Sequence, residues 1–299
     1  MIDFTRDGHL HTPFCPHGST DPLHMYVEQA LARGIKTLTF TEHAPFPARF
    51  LDPTPDKDSA MSVESLPLYI EAIQTLKQSY PELDIRLGLE IDYLPGCESE
   101  TLAFLEPYAD VFDETILSQH FLLVDGELLP VDFSAETFDT LVRRVGSFEE
   151  VMRRYYVSLE AGLAFPWERL KVNRVGHIDL PIKYQTNYDW ERENVLSEQT
   201  RLLQTIANRG FGLDVNTAGL RKPECGQIYA LDIAPKAMSY GIPLVLGSDA
   251  HIAADVAAGF NDIQKKPRSY ERGFFTAIQL SRSPFLVVDN DMAFHFFIY

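Results

Sequence analysis

The sequence predicts an α/β fold whose parallel β-sheet closes, or nearly closes, into a barrel. Short runs of apolar and β-branched residues alternate with longer helical runs along the chain of 299 residues. Most of the short runs are bounded by turn residues, as buried parallel strands are. A repeated order of strand, helix and strand produces right-handed crossovers and parallel neighbours. Seven such units favour a barrel. An open doubly wound sheet is the alternative, because periodicity alone does not separate the two.

Seven segments fit the strand pattern. In chain order they are Ile2–Arg6, Ile35–Thr41, Ile85–Ile91, Val111–Leu117, Lys171–Val175, Phe211–Val215 and Ile242–Leu246. After the fourth strand, Asp125-Gly126 stands between apolar flanks, so a hairpin is predicted over Phe121–Pro130. Proline and aspartate crowd Ala44–Ala60, which we interpret as a long loop. Since no linker is evident, we expect residues 1–299 to form one domain.

The predicted helices lie between the strands. The first follows Ser19–Pro22, where we place the N-cap and a proline in the first turn, and it ends at Gly34. The others are predicted at Val63–Tyr80, Phe148–Leu163, Glu191–Arg209 and Gln227–Tyr240.

Composition excludes several classes of protein. Lys and Arg number 26 against 43 Asp and Glu, a formal net charge of −17. This balance disfavours nucleic acids and anionic membranes as partners, because both are bound mainly through cationic side chains. The chain shows neither a transmembrane run nor a signal peptide. Its three widely spaced cysteines, Cys15, Cys97 and Cys225, form no disulfide framework, so we expect a cytoplasmic protein.

The histidines are concentrated where strands are predicted to end. Seven of the nine follow a strand, and they are His9, His11, His17, His43, His120, His177 and His251. Glu90 and Asp92 end the third strand, and Asp249 follows the seventh. In a parallel barrel these positions share the C-terminal rim, where barrel active sites are built. Imidazole and carboxylate are ligands of Zn, Fe and Mn, so a metal cluster is predicted there. His24 and His295 fall off the rim and are expected to be structural.

Six segments, in this order, resemble the PHP (polymerase and histidinol phosphatase) family. They are Asp7–Thr12, Thr41–Ala44, Gly88–Asp92, Ser118–His120, Gly176–Asp179 and Gly247–His251. Asp214–Pro223 is similar to the substrate loop of the histidinol-phosphatase branch of that family. The resemblance covers most of the chain and implies a distorted (β/α)7 TIM-like barrel.

The resemblance also implies three divalent transition-metal ions, Zn, Fe or Mn, and a set of nine ligands. His9, His11, Glu90 and Asp249 would bind the first ion, and Glu90 would bridge it to a second held by His120 and His177. His17, His43 and His251 would hold the third.

The implied activity is hydrolysis of a small phosphomonoester, L-histidinol phosphate, to L-histidinol and phosphate in histidine biosynthesis. A hydroxide bridging two ions would attack phosphorus. The catalytic candidates are Asp249, Glu90 and His251, with Asp249 or a water on the third ion as proton donor. Arg221, Lys183 and Asn216 are the predicted substrate-binding residues. Lys183 stands where this branch commonly has an arginine, and lysine lacks the bidentate guanidinium fork.

Several alternatives stay open at this point. The chain could be a PHP phosphoesterase acting on nucleotides or other small phosphomonoesters, or a metal-binding module without turnover. Four carboxylates, Asp7, Glu42, Asp92 and Asp179, could orient ligands or be ordinary loop residues, and Asp92 could instead bind a substrate amine. Cys15 is interpreted as a small buried residue. The aromatic Phe294–Tyr299 is either packed surface, a subunit contact or a frayed tail, and the oligomeric state is open.

Overall fold

The structure, a computed structural model, describes residues 2–265. The predictions for His295 and Phe294–Tyr299 lie outside these residues. Nine strands occur in the described part: β1 (Arg6–Leu10), β2 (Thr37–His43), β3 (Asp84–Asp92), β4 (Thr115–Ser118), β5 (Phe121–Val124), β6 (Glu127–Pro130), β7 (Val172–Val175), β8 (Gly212–Asn216) and β9 (Leu244–Gly247). Seven of them form one parallel sheet in the order β1-β2-β3-β4-β7-β8-β9.

The first and last strands of this sheet meet and close the barrel. The backbone N–H of Asp249 donates to the carbonyl of His9 at 2.8 Å, and that of His11 donates to the carbonyl of Ala250 at 3.0 Å. The bridge between Leu10 and Ala250 is parallel. These bonds confirm the predicted barrel and exclude the open sheet.

Eight helices lie in the described residues: α1 (Leu23–Ala32), α2 (Ser65–Ser79), α3 (Glu98–Leu105), α4 (Ala135–Val145), α5 (Phe148–Leu163), α6 (Leu196–Arg209), α7 (Ala234–Ser239) and α8 (Phe260–Lys265). Helix α5 has the predicted bounds, and the Ser147 hydroxyl caps it by accepting from the Glu150 N–H. Helices α3, α4 and α8 were not predicted from the sequence. None of the helices described is both long enough and apolar enough to span a membrane.

Three helix predictions were wrong in their starting points. Pro22 is the N-cap of α1 rather than a residue of its first turn, and no side chain caps this helix. Helix α6 starts at Leu196 because Arg192–Val195 forms a 3-10 turn. Helix α7 starts only at Ala234, because the backbone of Tyr229 pairs instead with Asn216 at the end of β8.

Two strand predictions were displaced along the chain. Strand β1 shares only Arg6 with the predicted Ile2–Arg6, and β4 starts at Thr115 rather than Val111. Strand β1 carries Asp7 and His9, both fully buried. A strand whose buried side chains include polar ones lacks the apolar run on which the prediction relied. As a result, His9 lies within a strand and not after it.

The hairpin and the long loop agree with the sequence analysis. Strands β5 and β6 pair antiparallel around Asp125 and Gly126, whose φ angles of +51° and +86° suit a tight two-residue turn. Residues 44–60 contain neither helix nor strand. Both segments extend from the C-terminal ends of barrel strands, so they border the mouth of the barrel.

A buried charge network crosses the opposite end of the barrel. The Glu114 carboxylate, just before β4, accepts hydrogen bonds from Arg6 at 2.5 Å and from Thr39 at 2.5 Å, and it pairs with Arg174 at 3.1 Å. Burial acts to raise the pKa of Glu114, but the charges of Arg174 and Arg6 outweigh it and hold this pKa well below its ordinary value. The network links β1, β2, β4 and β7 at the end of the barrel opposite the C-terminal mouth.

Candidate metal centre

The nine predicted ligands lie at the C-terminal mouth of the barrel. Strand β1 carries His9, β2 ends at His43, and β3 carries Glu90 two residues before its end. The others follow strand ends or lie in the loop before α1, and they are His11, His17, His120, His177, Asp249 and His251. The parallel order of the strands therefore brings residues from the whole length of the chain to one rim.

Glu90 occupies the centre of this cluster. Its Oε1 accepts from the Ser118 hydroxyl at 2.5 Å and lies 3.0 Å from Nε2 of His177. Its Oε2 is faced by three ring nitrogens at 3.1, 3.3 and 3.4 Å, from His43 Nδ1, His9 Nε2 and His11 Nε2 respectively. One carboxylate is thus shared by rings from three strands or strand ends.

These central atoms are short of hydrogen-bond partners. Oε2 of Glu90, Nε2 of His9, Nε2 of His11 and Nδ1 of His43 are all buried, and none makes a hydrogen bond of acceptable geometry within residues 2–265. Buried polar atoms without partners are rare because each costs the free energy of its lost hydration. A cation between them satisfies all four, so the residues present fit a metal site.

The outward nitrogens of the rings are held by fixed partners. Nδ1 of His9 lies 2.8 Å from Asp214, Nδ1 of His11 lies 3.0 Å from Glu42, and Nδ1 of His120 lies 2.9 Å from Asp92. Nδ1 of His17 lies 2.8 Å from the carbonyl oxygen of Asp58. Each partner orients its ring and leaves Nε2 for the cluster, the arrangement typical of metal-bound histidine.

The four carboxylates that the sequence left open therefore have definite contacts. Glu42 and Asp92 orient rings, as described above. Asp7 accepts from the backbone N–H groups of Ser248 at 2.9 Å and Ala257 at 2.7 Å, and Asp179 accepts from that of Ala230 at 2.8 Å. Asp7 and Asp179 thus hold loop backbone at the mouth. The partner that the sequence analysis missed is Asp214, and its alternation within β8 was the signal that it points into the barrel.

The charges of the cluster call for cations. Burial acts to lower the pKa of His11, but the nearby carboxylates of Asp249 and Glu42 outweigh it and raise this pKa to about 9. Burial also acts to lower the pKa of His120, but the charges of Asp92 and Glu90 outweigh it and raise this pKa to about 10. Without metal, protons supply the positive charge that the carboxylates require; divalent ions supply it equally well.

A second set of rings converges beside the first. Nε2 of His17 lies 3.1 Å from Nε2 of His251, and the rings of His251 and His11 stack with centroids 4.0 Å apart. Cys15 is buried as predicted. Among residues 2–265, three groups of side chains have ligand atoms that all lie within 4.8 Å of one another: His11, Cys15, His43 and His251; His9, His11 and Glu90; and His43, Glu90 and His120. The groups share members, so they form one cluster that could hold metal ions.

A cavity of about 450 Å³ opens from the cluster to solvent and is lined by Arg221 and Lys183. Arg221 donates to the carbonyls of Ser248 at 2.6 Å and Asp249 at 3.2 Å, while its buried Nη1 has no partner in the described part of the chain. Asn216 lies apart from this cavity. Its amide donates to Asp214 at 3.2 Å and to Asp249 at 3.1 Å, which favours a role in holding Asp249 over the predicted contact with substrate.

Replacing Asp214 with Asn is expected to weaken metal binding by about 10- to 100-fold, because His9 loses its charged orienting partner. Competition against a chromophoric chelator measures the affinity. The exposed Asp56→Asn variant is the matched control. Unchanged affinity in the Asp214 variant would contradict an orienting role for this carboxylate.

The fold and the cluster define a TIM-like barrel with a metal-binding centre at its C-terminal mouth. The PHP domain matches residues 7–218, and the chain belongs to the PHP family. This confirms the resemblance inferred from the motifs.

Relatives come from several bacteria. The chain is 45% identical over 258 residues to the histidinol-phosphatase of Bacillus subtilis (strain 168), a match covering 85% of this chain and 96% of that protein. A crystal structure from Listeria monocytogenes, assigned to the histidinol phosphatases, has a TM-score of 0.82 at 34% identity and covers 86% of this chain and 99% of its own. The Lactococcus lactis histidinol phosphate phosphatase, solved with zinc, L-histidinol and phosphate, has a TM-score of 0.65 at 21% identity, covers 94% of this chain and 95% of its own, and shares the fold.

Proposed function

We propose that this protein is a histidinol-phosphatase, a metal-dependent phosphomonoester hydrolase that converts L-histidinol phosphate and water to L-histidinol and phosphate. The observation that carries the proposal is the ligand set around Glu90, whose central atoms find no partner among the described residues and which borders the same cavity as Arg221. The 45% identity to the Bacillus subtilis enzyme over most of both chains supports the substrate.

We assign three divalent ions to the nine ligands in the distribution that the family resemblance implies. Zn, Fe and Mn all suit sites made of imidazole and carboxylate. When bound, such ions lower the pKa of coordinated water and neutralise phosphate oxygens. Three ions against two carboxylate ligands leave about +4 at the site, which attracts a phosphate dianion to a protein of net charge −17.

The phosphate is held in part by the chain itself. Arg221 lines the cavity, and it is anchored there through its Nε to Asp255 at 2.9 Å and through Nη2 to the carbonyl of Ser248 at 2.6 Å. Lys183 lines the same cavity and adds a second positive charge. Both groups stabilise negative charge on the phosphoryl oxygens as the ester bond breaks.

Asp249 acts in this proposal as a ligand rather than as the proton donor. Burial acts to raise its pKa, but the charges of His9 and His11 outweigh this and hold the pKa of Asp249 well below its ordinary value. We therefore assign the proton for the leaving alkoxide to water rather than to Asp249.

Phosphate release from L-histidinol phosphate, measured beside nucleoside monophosphates with the metal content assayed, tests the proposal. We expect a clear preference for L-histidinol phosphate. Preference for nucleotides would show that the proposed substrate is wrong. Full metal content without any turnover would show that the protein is a metal-binding module and not an enzyme.

Replacing Arg221 with Ala is expected to lower kcat/KM for L-histidinol phosphate by about 10²- to 10³-fold, since one preorganised donor to the phosphoryl oxygens is lost. Arg221→Lys should retain more of the kcat/KM than Arg221→Ala but less than the unmodified protein, because lysine offers a point charge instead of the guanidinium fork. Bound metal is measured in both variants, because Arg221 also contacts the backbone of Asp249. A loss explained entirely by missing metal would refute direct phosphate contact.

We also propose a cytoplasmic setting. Cys15, Cys97 and Cys225 are buried free thiols, which suits a reducing compartment.

A further inference from the structure

We infer that Asp132 and Phe133 recognise the organic half of the substrate, with the Asp132 carboxylate binding an ammonium group and the Phe133 ring covering a flat ring. The chemical class selected is a phosphomonoester of an amino alcohol that bears an aromatic ring. The inference rests on the proposed phosphatase function and assigns its specificity to two residues that follow the β5–β6 hairpin.

The backbone of Asp132 is held in place at the cavity wall. Its carbonyl oxygen accepts hydrogen bonds from the Lys183 ammonium and, at 3.0 Å, from the Tyr184 hydroxyl. The preceding residue, Val131, donates its N–H to the carbonyl of His120 at 2.9 Å. Asp132 is thus tied on one side to the metal cluster and on the other to the segment that follows β7.

Asp132 lines the cavity, and no residue between 2 and 265 donates a hydrogen bond to its carboxylate. Among the described residues its nearest cationic atom is Nζ of Lys183, 3.8 Å from Oδ2. Burial acts to raise the pKa of Asp132, but the charges of Lys183 and His120 outweigh it and keep this pKa below its ordinary value. A fixed, ionised acceptor that faces a cavity is suited to a charge-assisted bond with an ammonium group.

Phe133 supplies an apolar surface beside that carboxylate. Its side chain is 38% exposed, and it lines the same cavity as the apolar Pro130 and Leu180. An exposed aromatic face at a pocket wall stacks well on another flat ring. When the phosphate of the substrate binds at the cluster and Arg221, the organic half of the substrate therefore lies against Asp132 and Phe133.

The other carboxylates of the mouth are less suited to bind an amine. Asp92, the candidate from the sequence, accepts from both the backbone N–H and Nδ1 of His120 at 2.9 Å. Asp255 is paired with Arg221 at 2.9 Å. Asp58 lines the cavity among the polar Thr54 and Ser59, with no aromatic side chain beside it in the chain. Asp58 is therefore the rival to be tested.

The experiment uses three phosphate esters on the metal-loaded protein. L-histidinol phosphate has both amine and ring, imidazolylpropyl phosphate has only the ring, and phosphoethanolamine has only the amine. We expect Asp132→Asn to lower kcat/KM about 100-fold for L-histidinol phosphate and less than about 3-fold for imidazolylpropyl phosphate, since only the first loses a charge-assisted bond. Phe133→Ala should lower kcat/KM about 10-fold for the two ring-bearing esters and spare phosphoethanolamine.

Metal content and melting temperature accompany every variant, and exposed Asp56→Asn is the matched control. If Asp132→Asn folds poorly, Asp132→Glu keeps the charge and should still disturb the amine-dependent ratio of the two imidazole esters. Equal losses on both esters would overturn the role of Asp132, as would an amine-selective loss in Asp58→Asn instead. Hydrolysis of none of the esters by the unmodified, metal-loaded protein would overturn the proposed function itself.

Discussion

Replacing Glu90 with Gln is expected to reduce phosphatase turnover by at least about 10³-fold, which corresponds to about 4 kcal/mol of transition-state stabilisation. Glu90 is the one carboxylate that all the central rings share, with its two oxygens facing His177, His43, His9 and His11 within 3.4 Å. Glutamine keeps the shape but presents a neutral amide, which removes a charge from the ligand set. Turnover and bound metal per chain are measured together.

The exposed Glu71→Gln variant in α2 is the control for a Glu-to-Gln change, and it should retain full activity. The melting temperature of the Glu90 variant separates a lost site from a lost fold. Full metal content together with normal turnover in the Glu90 variant would be incompatible with a metal centre built around this residue.

Removal of metal by a chelator is expected to eliminate turnover and to lower the melting temperature by about 10 °C. Ligands that bind only the folded state stabilise it by about 4 kcal/mol at a thousand times their Kd, and each kcal/mol shifts the Tm of a chain of this size by about 2–4 °C. Metal-free protein retains the unpartnered atoms around Glu90. Adding back Zn, Mn or Fe(II) separately should restore activity and stability and rank the metals.

Metal binding and removal should also change the number of protons bound to the protein. The pKa of His11 is about 9 and that of His120 is about 10, both above the ordinary value of 6.5. Groups with raised pKa values stabilise the metal-free fold at low pH, and that contribution is lost as pH rises through 9 to 10. Metal binding at pH 8 should therefore release protons, and metal-free protein should lose stability first in alkali. Full activity of metal-free protein would contradict the proposed function.

Much of this molecule could be predicted before any contact was known. Strand and helix periods alternate along the chain, and this alternation places every strand end at one rim, so His43, His120 and His177 could be grouped from their positions alone. The predictions were weakest where buried side chains are polar. Strand β1 was displaced because two of its buried residues, Asp7 and His9, are polar.

The partners that orient the site depend on closure of the barrel. His9 and Asp214 are 205 residues apart in the chain, and they meet because β8 and β1 both line the barrel interior. Asn216 joins Asp214 to Asp249 for the same reason. The local sequence pattern determines which residue types reach the rim, because the position of a residue along its own strand depends only on the neighbouring sequence. Which nitrogen of each ring faces the cluster, and which carboxylate lines the cavity, depends on neighbours that only the folded chain brings within hydrogen-bond distance.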